Sequence, residues 1–172
     1  MTSPTTTSPP PVPAIVRRLG PVIRALLRIG LPMGPNVLLT VRGRKSGVER
    51  TFPVAILEAD GREVVFSPFG EVQWVANLRA SGEAVVRHGR RSRQVAAIEL
   101  APETAGPLLA DGMKLVMGVP VFGSMISGWY GVKRQSAAAD YLAAARRHPA
   151  FELMEIGRTP RVRDVAARSS PR

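Results

Sequence analysis

Cysteine is absent from the 172 residues, which removes at once a disulfide framework, a thiolate nucleophile and a cysteine-held metal. Histidine is nearly absent: His88 and His148 stand far apart, in no ligand-like spacing, so a metal site is not expected. Any redox chemistry must then be borrowed from a bound cofactor. Lysine occurs only at positions 45, 114 and 133, so the formal net charge of +11 is carried mainly by arginine. Such a balance favours an anionic partner. Aromatic residues are only 5% of the chain, too few to interleave with basic strands as an oligonucleotide site requires, and nucleic acid is not expected. No apolar run approaches a membrane span. A G-x-G-x-x-G is missing, and long helices do not alternate with strands, so a Rossmann domain is not expected either.

What is present describes one domain with loose ends, since a hydrophobic content of 45% in a chain of this length can close a core. Residues 1–12, within "MTSPTTTSPPPVP", have the Ser, Thr and Pro bias of a disordered leader and no signal-peptide pattern; a cytoplasmic location is the default expectation. Residues 13–30 set Ile15, Leu19, Val22, Ile23, Leu26 and Ile29 at helical spacing, with arginines mostly on other faces and Pro21 as a kink. Two readings stand for it: a helix docked on the core, or a basic amphipathic helix touching the inner face of a membrane. Residues 157–172 read as a basic disordered tail.

Between these ends the period is that of strands. "NVLLTVR", "RTFPVAILE" and "EVVFS" are joined by "GRKSG" and by the Asp-Gly turn of "ADGRE"; Pro53 marks an edge or a bulge. "QWVANLRAS" is expected as an inserted helix ending near Gly82. "EAVVRHG" and "SRQVAAIELA" form a further hairpin, and "FELMEI" a sixth strand. "PETAGPLLADGMKLVMG" and "SAAADYLAAARRH" predict helices, the first burying Leu108, Leu109, Met113 and Val116. The glycine-rich "VPVFGSMISGWYGV" reads as a loop or broken helix. The fold class is mainly β with helical additions (α+β), a small closed antiparallel barrel.

The turn "GRKSG" combines two glycines, two cations and a hydroxyl, which suits a phosphate or several carboxylates. It lacks Walker spacing, and a merely solvated basic turn is the competing reading. Trp74 and Asn77, three apart on a helix, either support a flat conjugated ring or serve as a core Trp with a capping Asn. Arg87, Arg90, Arg91 and Arg93 surround a hairpin and read as a solvated face.

In their order and separation, "LLTVRGRKSGVERTFPV", "VVFSPFGEVQWVANLRASGEAVVRHGRR" and "RRHPAFEL" resemble the deazaflavin-dependent nitroreductase family, over residues 34–156. The resemblance implies a split β-barrel of the flavin-reductase or FMN-binding type and coenzyme F420, a deazaflavin with a phosphate and an oligoglutamate tail. It implies that Arg44, Lys45, Ser46, Gly47 and Arg50 hold the tail, that Phe52, Pro53, Val54 and Ser67 line the ring pocket, and that Trp74 and Asn77 support the ring. Hydride transfer to a small-molecule acceptor, a quinone or another conjugated or nitro compound, follows as the expected activity. Ser67, Trp129 and Tyr130 are candidates for touching the acceptor, and Tyr130 is the candidate acid. The family's tyrosine-rich lid is represented here only by Trp129 and Tyr130. Two other readings stand beside it: an FMN-binding oxidoreductase on the same barrel, and a nonenzymatic lipid or cofactor binder with Met113, Met117 and Met125 along a tunnel. A homodimer is expected by analogy of fold alone.

Overall fold

The computed structural model describes residues 18, 21–22, 25–27, 35–117, 122–133 and 135–157. The leader, the tail and most of the segment 13–30 lie outside the described residues. Of that segment, residues 18, 21–22 and 25–27 are helical, with Leu27 buried.

Six strands form a closed antiparallel barrel: β1 (Asn36–Arg42), β2 (Glu49–Ala59), β3 (Arg62–Phe66), β4 (Glu83–His88), β5 (Arg91–Glu99) and β6 (Ala150–Glu155). Their order around the barrel is β1-β2-β3-β6-β5-β4, the split barrel expected. Local turn chemistry makes three of the joins. Asp60 and Gly61 both take positive φ, 51° and 67°, as a two-residue hairpin turn demands. Gly89, at φ 60°, does the same between β4 and β5. The β3–β6 and β5–β6 joins bring the last strand back across the whole chain.

The period of two sorts each strand into a barrel face and an outer face. Val37, Leu39, Val41, Val54, Val65, Val86, Val95, Phe151 and Leu153 fill the barrel. Beside the helical residues of the N-terminal segment, the described residues include the helices α1 (Gln73–Ser81), α2 (Pro102–Val116), α3 (Phe122–Tyr130) and α4 (Ala138–Ala145). Trp74, Val75 and Leu78 of α1 join the barrel core, and Gly82 ends that helix in the left-handed conformation at φ 67°. The helices α2, α3 and α4 build a second core against the outer faces of β2, β3 and β6, from Ala59, Val64, Phe66, Leu109, Met113, Tyr130 and Tyr141.

Two expectations need correction. The stretch read as a loop or broken helix contains α3, because Ile126 and Tyr130, four apart, both pack on the second core and outweigh a glycine penalty of about 1 kcal/mol each. The methionine tunnel does not form: Met113 is buried in that core while Met125 is 43% exposed.

Candidate functional site

Pro53 locates the open flank of the barrel. The β2–β3 register runs only from Ile56 to Ala59, whereas β1 pairs with β2 from Glu49 to Ala55. The first seven residues of β2 therefore overrun β3 and have one strand neighbour. The Ile56 N–H donates to the Pro35 carbonyl at 3.0 Å, so every second residue from there turns its backbone bonds to β1, and the Leu38–Pro53 pair falls in between. Pro53 accordingly loses no ladder bond, and its carbonyl faces the open edge with the backbone groups of Thr51 and Ala55.

The same alternation divides the trio expected to line a ring pocket. Val54 is buried in the barrel core, and Phe52, half-buried, packs against that core from the same face of the strand. Pro53, on the outer face, stays half-buried beside Thr51, whose hydroxyl is 2.9 Å from that of Thr40.

At the end of this overrun hairpin sits the turn 43–48. The Gly43 N–H donates to the Val48 carbonyl at 2.9 Å and the Gly47 N–H to the Gly43 carbonyl at 2.8 Å, while Ser46 Oγ accepts from the Val48 N–H at 3.4 Å. Gly47 adopts φ 68°, which favours glycine. A Cβ at Gly43 would fall 3.0 Å from both Ser46 Oγ and the Val48 carbonyl and 3.7 Å from Arg50 Nε, so Arg50 returns over the turn as its sequence position suggested.

Asn77 ties this turn to α1. It is 5% exposed, and its Oδ1 accepts from the backbone N–H and from Nη1 of Arg44, both at 3.3 Å. The backbone N–H groups of Lys45 and Ser46 have no protein acceptor among the described residues. Neither Arg42, Arg44, Lys45 nor Arg50 has a carboxylate partner there. Elsewhere several of the cations are matched. Arg79 grips Glu71 at 2.8 Å and Glu99, holding the Glu71 carboxyl below its ordinary range by hydrogen bonding; Arg93 meets Glu63 at 2.6 Å and Arg62 meets Glu152 at 3.4 Å. Arg90, Arg91, Lys133 and Arg147 also lack a carboxylate among the described residues, but none of them lies in the turn 43–48, and the β1–β4 register puts the Arg90–Arg91 hairpin tip at the opposite end of the barrel.

The remaining candidates sit in or beside the two cores, Trp74 in the core role that was one of its two sequence readings. Trp74 is 8% exposed and packs on Phe151, ring centroids 6.1 Å apart, a core role. Ser67 is fully buried and its hydroxyl donates to the Gly70 carbonyl at 2.6 Å, so it is not free for an acceptor. Tyr130 is 5% exposed against Phe66 and His148; burial pushes its phenol well above the ordinary range, which makes it a reluctant acid. Trp129 is half-buried and tilted on Phe69 at 5.2 Å, joining α3 to the loop 67–72.

Sequence reasoning overlooked His148 and Gly70, which hold that loop. The His-Pro pair ahead of a strand was the available signal, hidden because it touches Ser67 only in the folded chain. Among the described residues no His, Cys, Asp and Glu cluster could hold a metal, and no helix is long and apolar enough to cross a membrane.

A family model described as F420H(2)-dependent quinone reductase matches residues 20–113, more than half of the chain. No curated protein matches. Among solved structures, an F420-H2 dependent reductase (FDR-A) is similar at 21% identity over 70% of this chain and 94% of that one, TM-score 0.44. A FAD-binding protein from Mesorhizobium loti is similar at 16% identity over 76% and 88%, TM-score 0.45. On the family match, with its strand, turn and inserted helix all within the matched span, the chain belongs to the F420H(2)-dependent quinone reductase family and is an oxidoreductase whose cofactor is coenzyme F420.

Proposed function

We propose that this protein reduces quinones or related conjugated acceptors and holds the acidic tail of F420 on the turn 43–48. The observation that carries the reading is the unmatched charge of that turn: Arg42, Arg44, Lys45 and Arg50 without a carboxylate, beside two unengaged amides. The donor set suits the group, since phosphate and carboxylates take charge-assisted hydrogen bonds from Arg and Lys and from adjacent backbone N–H groups.

Bound F420H2 supplies a hydride, and the chain's work is to position and to exclude. Asn77 holds Arg44 so that the turn meets its ligand already ordered. The outer face at Thr51 and Pro53 offers a flat floor with backbone acceptors along the open edge. Trp129 and Phe69 pack on one another, an aromatic pair of the kind suited to a conjugated ring. Nitro compounds are the less favoured acceptors, because Tyr130 packs into the core and leaves the half-buried Trp129 as the accessible part of that lid.

The test is fluorescence titration with oxidised F420, at low and high salt, of the protein and of Lys45→Ala. One lost charge-assisted hydrogen bond, about 1.5–3 kcal/mol, corresponds to a roughly ten- to hundredfold weaker dissociation constant, and salt should weaken the unaltered protein more than the variant. Binding indifferent to both, or binding of FMN in preference to F420, would overturn the assignment of the turn.

A further inference from the structure

Among the buried polar side chains to which the proposed reaction gives no task is His148. His148, 1% exposed, lies between α4 and β6, and its Nδ1 is 3.1 Å from the Ser67 carbonyl. A carbonyl can only accept, so Nδ1 carries the hydrogen. The Ser67 N–H in turn donates to the carbonyl of Pro149 at 2.9 Å. The last β3–β6 pair is Phe66 with Ala150, and the His148 ring thus adds a further rung where the ladder stops. The ring packs edge-on against Tyr130 at 4.9 Å, and Tyr130 against Phe66 at 6.4 Å.

Everything beyond that rung is the loop into α1. The Ser67 hydroxyl donates to the Gly70 carbonyl, and the Val72 N–H donates to the same carbonyl at 2.8 Å. Phe69, between them, bears on Trp129. A phenylalanine would fill the same volume, so packing alone does not call for an imidazole; a donor aimed at one backbone carbonyl does.

We propose that His148 is a positioning residue of the reductase, fixing the loop 67–72 and through it the Phe69–Trp129 contact and the start of α1. The proposal rests on the reading of the site given above. The ionisable groups around the ring are the Tyr130 phenol and the Arg147 guanidinium. Burial, and then Arg147, lower the pKa of His148, against the Ser67 bond that raises it. The ring is therefore neutral at pH 7 and has one donor to give. A second proton would place an N–H at Nε2, which has no acceptor among the described residues.

Two variants separate positioning from packing: His148→Asn keeps a donor near Nδ1 and cannot titrate, and His148→Phe keeps the bulk and loses the donor. Amide hydrogen exchange of residues 67–72 is compared with that of α2 in the cofactor-free protein, and F420 affinity and menadione reduction are measured across pH. In His148→Phe, exchange in the loop should rise about tenfold or more while α2 is unchanged, and kcat or the menadione KM should worsen more than F420 affinity. His148→Asn should match the unaltered protein at pH 7 and lose the acid limb of the kcat/KM profile. Unchanged loop exchange in His148→Phe, or an acid limb intact in His148→Asn, would overturn the proposal. Should His148→Phe fail to fold, the acid limb of His148→Asn decides alone. If the unaltered protein fails to bind F420, the proposed function falls, while the exchange comparison still decides whether His148 holds the loop.

Discussion

Asn77 shows how one buried amide can order a turn that it reaches from a helix. Its two bonds from Arg44 join a helix to a turn from a distant part of the chain, and under the proposed function they spare the turn the entropy of ordering itself on the cofactor tail. Asn77→Ala is expected to cost about 1 kcal/mol of stability, read as a lower urea midpoint with unchanged slope, and to weaken F420 several-fold in the titration. The grouping of Arg44, Lys45, Ser46 and Gly47 was legible in the sequence because neighbours in a tight turn stay neighbours in space. The directions of Trp74 and Ser67 were not. Three-residue spacing says that Trp74 and Asn77 share a helix face, but not that the face meets Phe151 on one side and Arg44 on the other. Ser67 follows a strand that periodicity marked as buried, yet only the fold places the Gly70 carbonyl within reach of its hydroxyl.

Among the elements, α2 depends on glycine for its fit. A Cβ at Gly106 would fall 3.3 Å from the backbone N and Cα of Leu142 in α4, whereas one at Gly112 would meet the Leu57 side-chain tip at 2.9 Å. Backbone cannot step aside as a rotamer can. Gly106→Ala should therefore destabilise by about 1–3 kcal/mol through overpacking, and Gly112→Ala by less, as compared by thermal unfolding of the two variants. Neither contact could be read from the chain, because each is made between segments distant in sequence. The hairpins were readable, since Asp60, Gly61 and Gly89 state their turns locally. The existence of α3 was not: Gly123 and Gly128 argue against a helix, and the surface that overrules them belongs to β3 and α2.

For the molecule as a whole, the closed barrel follows from strand count and turn chemistry, while the pairing of β6 between β3 and β5 is a non-local fact that no window of sequence contains. Acid should unfold it in two stages. His148 binds a proton less readily folded than unfolded, so the unfolded chain is protonated first, and stability present above about pH 6.5 is lost as the pH falls below it. Glu71, held low by Arg79, adds a second loss as the pH drops below its unfolded value of about 4.5. Urea midpoints measured from pH 7.5 to 3.5 should show both stages, and His148→Asn should remove only the first. The overrun of β2 carries a further cost. A strand with an unpaired side is a template for another chain, inviting edge-to-edge aggregation. Pro53 sits with its ring where an incoming strand would need an amide, so the open flank, accessible to a small molecule, is guarded against β-augmentation by a second polypeptide.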